Sequence, residues 1–139
     1  MSDLKKIFGD NIELQIQEAI EDGGHHIVTI ADPIGKYLGK TLPKKQRLTR
    51  SQIRNIYTMA KRMQMKEVDF ERFILLKPKI AYITRKKNAN LGLEILGDVL
   101  LIAVDETYKR KKDKNNNHFS NFMDFFESIL AYHVSYGGK

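Results

Sequence analysis

The tightest constraint on the fold lies near the end of the chain. Phe119, Phe122, Met123, Phe126, Ile129, Leu130 and His133 follow one another at steps of three, one, three, three, one and three residues. At about 100° per residue this spacing puts them on one face of a helix, whereas a strand would split them between two faces. The segment predicts a core helix stopped by Gly137-Gly138. Phe125 and Tyr132, seven residues apart, lie off that stripe beside Ile129. Either a second neighbour, such as another subunit, or one broad core face would cover them.

The remaining segments also read as helices. Residues 1–24 predict one or two short ones. Ser2 is placed to cap a turn carrying Leu4, Ile7 and Phe8, and Asn11 to cap a run with Ile12, Ile16, Ala19 and Ile20 before Gly23-Gly24. His25–Gln46 mixes its signals. His25–Ile30 suits a short extended piece, Asp32-Pro33 suits the opening of a single turn, and two glycines and Pro43 follow, so this region reads as a connector. A long helix is expected over Leu91–Lys112. There the polar face of Glu94, Asp98, Asp105 and Lys112 settles the period of the Val99–Val104 run as helical, and the residues between them make it the central core helix. The expectation is an all-α, compact bundle of about five or six helices, forming one domain overall with residues 1–46 as short helices and connector.

Charge is unevenly spread along this framework. Residues 1–43 carry 4 Lys/Arg against 7 Asp/Glu, residues 44–87 carry 14 against 3, and residues 88–139 carry 6 against 7. The formal excess of +7 therefore sits in the middle third. A clustered positive field is the footprint of a polyanion partner, whereas scattered cations only keep a small domain soluble.

Within that third, Thr49 and Gln52 make a capping box, with Leu48 and Ile53 as its hydrophobic staple. In the helix that follows, Ile53, Ile56, Tyr57, Ala60 and Met63 take one side. Arg50, Arg54, Thr58, Lys61 and Arg62 take the other, with Arg47 just ahead of the cap. No acidic residue on that face offers a neutralising partner at helical spacing. Glu67–Lys87 continues the pattern. Pro78 lacks a backbone donor, so its helix must be kinked or broken, and Lys77 and Lys79 flank that point. Arg47, Arg50, Arg54, Lys61, Lys77, Lys79 and Arg85 are the candidate phosphate contacts. The lysines of 109–114 suit a solvated loop instead.

Catalytic chemistry has little to stand on. There is no cysteine, and His25, His26, His118 and His133 are not spaced as metal ligands. No phosphate-cradling glycine motif and no nucleophile elbow is present. The longest apolar run, Val99–Val104, is far too short to span a membrane. These features predict a soluble cytoplasmic protein, not an enzyme, with no cofactor, no catalytic residue and no metal site.

Three stretches, in this order, resemble a known family: Leu48-Thr49-Arg50-Ser51-Gln52-Ile53-Arg54; Leu75-Leu76-Lys77-Pro78-Lys79-Ile80-Ala81-Tyr82 with Arg85; and Leu130-Ala131-Tyr132-His133-Val134-Ser135-Tyr136-Gly137-Gly138. Together they are similar to the small helical subunit of type III-A CRISPR effector complexes, the Csm small-subunit family, over residues 48–139. The resemblance implies an all-helical, non-catalytic subunit that stacks in several copies along the duplex of guide RNA and target RNA. It implies self-association and contacts with the backbone and large subunits of the effector, with Arg54, Lys79 and Arg85 facing the RNA. Thr84 stands where members commonly have glycine, and Val134 where lysine is frequent. Two rival readings of the same cations are a helical DNA-binding regulator, with 50–62 as recognition helix, and an adaptor for an acidic protein.

Overall fold

The computed structural model describes residues 3–64, 67–113 and 117–139, and among them the regular structure is entirely helical. The short segments are α1 (Leu4–Phe8) and α5 (Phe70–Phe73). The longer ones are α2 (Ile12–Asp22), α3 (His25–Lys36), α4 (Arg50–Lys61), α6 (Leu76–Thr84), α7 (Leu91–Lys109) and α8 (His118–Ser135). Between α3 and α4 the chain makes a π-helical turn at Tyr37–Thr41 and a 3-10 turn at Lys44–Gln46. Asp3 caps α1 by accepting from the Lys6 amide; the cap expected at Ser2 lies outside the described residues.

Helix α8 is the axis, because its stripe presents Phe119, Phe122, Phe126 and Ile129 to the core and all are buried. Helix α3 runs parallel to it. Gly23, ahead of α3, meets Asn121, and Gly35 meets Tyr132. Helix α4 runs antiparallel, with Leu48 beside His133 and Tyr57 edge-on to Phe126. The chain then reaches α5, where Phe73 packs edge-on against both Phe119 and Phe122. Phe125 is fully buried and Tyr132 lies where α3 crosses, so a neighbour within the chain covers the second apolar strip.

The region read as a connector contains a twelve-residue helix. Its β-branched start favours a strand locally, but Ile27, Ile30, Ala31 and Ile34 recur at helical steps and all are buried. Tertiary burial outweighs the propensity. Pro33 lies inside α3 instead of opening a turn. Gly35 and Gly39 let its end approach α8 closely: a Cβ on Gly35 would sit 2.9 Å from the His133 amide nitrogen, and one on Gly39 2.7 Å from the His133 carbonyl oxygen.

The break expected at Pro78 falls just before it, at Ile74-Leu75. Pro78 is the third residue of α6, where a missing N–H costs nothing because no intrahelical partner exists there. Helix α7 is the core helix expected from its pattern, with Leu93, Ile95, Leu96, Val99, Leu100, Ala103 and Val104 buried, and it ends at Lys109 instead of Lys112. Helix α6 lies against it, Thr84 seated on Gly97.

Candidate nucleic-acid interface

The start of α4 is fixed from several sides. The Thr49 hydroxyl accepts from the Gln52 amide while the Gln52 side chain accepts from the Thr49 amide, closing the capping box. The staple residues Leu48 and Ile53 are buried. His133 is fully buried, and its Nε2 lies 2.6 Å from the Leu48 carbonyl oxygen. A carbonyl can only accept, so Nε2 carries the proton and Nδ1 is left with no hydrogen-bond partner. Burial, more than the Leu48 hydrogen bond or the nearby Arg50 charge, sets the ring's titration and holds its pKa below the ordinary value. Arg50 Nε donates to the Gly138 carbonyl at 2.7 Å, drawing the C-terminal residues onto the same helix end.

From this anchor α4 presents Arg50, Arg54, Tyr57 and Lys61 at positions i, i+4, i+7 and i+11. Arg54, Lys61 and Arg62 are exposed, and none forms an ion pair with a described residue. The Lys61 ammonium lies 5.8 Å from the centre of the Tyr57 ring. Around α6 the sequence repeats the spacing: Leu75 caps the helix, Lys79 and Tyr82 lie on it, and Lys86 lies just past its end with its ammonium 5.1 Å from the Tyr82 ring centre. Leu76, Ile80 and Thr84 are buried, so the Lys79–Tyr82–Lys86 stripe faces away from α7.

The seven candidate cations do not share one environment. Arg54 and Lys79 are exposed without described partners, and Lys61 touches only Tyr57. Arg47 is turned inward, its Nε donating to the Leu42 carbonyl at 2.7 Å and its guanidinium also to the Lys40 carbonyl at 2.8 Å. Those bonds tie the loop ahead of α4. Lys77 pairs with Asp105 at 2.8 Å and Arg85 with Asp98 at 3.5 Å, both across the seam between α6 and α7. Lys77 and Asp105 are both about four-tenths exposed, and a pair so open to solvent contributes only about 0–1 kcal/mol. Asp98 is one-tenth exposed, so its pair with Arg85 is half-buried. A phosphate can therefore replace Asp105 on Lys77 at little cost, whereas drawing Arg85 away would take a charge partner from the buried Asp98.

Charge clustering does not mark Tyr82 or set Lys86 apart from its basic neighbours. The signal that finds them is the repeated i, i+4, i+7, i+11 spacing, with a tyrosine third and a lysine fourth in both stretches. Elsewhere the cations serve the fold. Arg110 bridges Glu21 and Glu106, and Lys109 also reaches Glu106. Burial alone would raise the Glu106 pKa, but the hydrogen bonds and charges of Lys109 and Arg110 outweigh it and hold that carboxyl below its ordinary value. Among the described residues, no group of three His, Cys, Asp or Glu side chains is placed to hold a metal ion. No helix among them is long and apolar enough to cross a membrane.

Compared with known proteins, residues 21–139 match the family model described as Csm2 Type III-A. The match begins at the end of α2, upstream of the stretches that carry the resemblance, and so takes in α3. No curated protein and no solved structure matches the chain.

Proposed function

Because the chain belongs to the Csm2 family and is a small subunit of type III-A CRISPR complexes, we propose that it braces target RNA there by gripping the sugar–phosphate strand. The observation that carries this reading is the outward cationic face of α4 and α6, where Arg54, Lys61 and Lys79 have no acidic partner among the described residues. Pairing between guide and target already supplies sequence specificity, so an accessory subunit needs only to recognise backbone and shape. Cations on rigid helices, with no base-reading motif among them, suit that task.

Lys77 extends the grip when phosphate displaces Asp105, and the exposed edge of the Arg85 guanidinium reaches phosphate from its place beside Asp98. Arg50 borders it at the anchored end of α4, and Arg47 supports it by holding the preceding loop. Copies of the subunit stack along the duplex, and the backbone and large subunits flank them. Each copy holds weakly and the array gains through effective concentration. In this reading the subunit makes and breaks no bonds, needs no cofactor and works in the cytoplasm.

The test is target-RNA binding by assembled complexes across a salt series, comparing the natural chain with the combined Arg54→Ala, Lys79→Ala, Arg85→Ala variant. Each lost phosphate contact should reduce the slope of log affinity against log salt by roughly 0.7–0.9 per copy. Affinity at low salt should fall while the isolated chain remains folded, with a lowered thermal midpoint because Arg85→Ala removes a charge partner of the buried Asp98. An unchanged affinity and slope would rule the grip out. Preference for one duplex DNA sequence would instead favour a regulator.

A further inference from the structure

We propose that Tyr82 is a stacking platform for an unpaired RNA base, flanked by the ammonium groups of Lys79 and Lys86. The inference rests on the RNA-gripping reading and adds to it a contact that does not depend on charge.

Tyr82 is 72% exposed, the most exposed large apolar side chain described, against 52% for Leu14, 51% for Leu75 and 49% for Val28. Its isolation is unusual within this chain. Of the six tyrosines, Tyr37 packs edge-on to Phe8 and Tyr57 edge-on to Phe126. Tyr108 donates its hydroxyl to Glu71, and Tyr136 donates to Asp32. Tyr132 lies beside Tyr136 and against Gly35. Each of these five has work inside the fold. Around Tyr82 the described contact is the Lys86 ammonium.

Tyr57 is an internal control, since it holds the same place in the equivalent stripe of α4. There the ring is half-buried and serves the core. On α6 the same spacing leaves the ring open to solvent.

Charge decides the occupant. From Arg72 to Leu93 the chain carries Arg72, Lys77, Lys79, Arg85, Lys86 and Lys87 with no Asp or Glu. Lys79 precedes Tyr82 by three residues on α6, and Lys86 follows just past the end of the helix at Thr84. The Lys86 ammonium lies over the ring, 5.1 Å from its centre, and the exposure of Tyr82 leaves the other face open to a base. An aromatic face between two cations fits a nucleotide strand, in which every base has a π-face and every linkage a negative charge. A paired base is closed to such stacking, so the platform takes a nucleotide that is unpaired at the duplex end or turned out of the helix.

The experiment uses the assembled complex and a target RNA with an unpaired overhang, comparing Tyr82→Ala, Tyr82→Phe and Lys79→Ala. Tyr82→Ala should weaken binding about fivefold or more per base lost from stacking, without changing the salt slope. Tyr82→Phe should bind as the natural chain does, and Lys79→Ala should lower the slope. If Lys79→Ala weakens binding and Tyr82→Ala does not, the platform is wrong while the phosphate grip stands. If neither does, both fall. If Tyr82→Ala blocks assembly but any complex formed holds RNA normally, the ring meets protein and the proposal is overturned.

Discussion

His133 shows how one residue couples the end of the chain to the start of the basic segment. Its imidazole must stay neutral, because protonation would add a charge at Nδ1, which is buried without a partner. The folded pKa lies below the ordinary value, which is about 6.5 in an unfolded chain. Below that pH the unfolded state takes up the proton first, so stability is complete above about 6.5 and falls as pH drops toward the folded pKa. Denaturant melts at pH 7.5 and 5.5 should show the midpoint dropping at the acid end. His133→Gln should flatten the drop, even if it lowers stability at both values. The sequence placed His133 on the core stripe. It did not disclose the bond to Leu48, because contacts between positions 85 apart leave no trace in local spacing. Arg47 is the converse, a cation that belongs by sequence to the basic run and in space to its own loop.

Helices were legible wherever periodicity and caps agreed. The capping box at Thr49 and the stripes of α7 and α8 all formed as their residues indicate. Helix α3 was not legible, because His25–Ile30 is β-branched, Pro33 reads as a breaker, and its helical burial is set by α8. The glycines carry that packing. Gly35→Ala should cost about 1–3 kcal/mol of stability as an overpacked contact, since its Cβ would press on backbone at His133. Gly97→Ala should cost at least as much, because its Cβ would sit 2.6 Å from the Thr84 Cβ, an atom that no side-chain rotation moves. Equilibrium unfolding of both variants checks this, and either variant proving as stable as the natural chain would contradict the packing account.

For the whole molecule, charge segregation marks the middle third of the chain, which forms α4, α5 and α6. Helix α4 rides on α8 and α6 on α7, each with an outward stripe of cations around a tyrosine. Legibility ended at the pairs Lys77–Asp105 and Arg85–Asp98. Their carboxylates come from a distant helix, so counting charge along the chain cannot show them.

The Arg50–Gly138 bond means that the tail serves as a fastener for a helix it never adjoins in sequence. Removing residues 137–139 would leave all seven candidate cations in place, yet unpin the first turn of α4. RNA retention should decline and amide exchange at residues 50–53 should accelerate, an impairment produced by loosening the scaffold and not by subtracting charge.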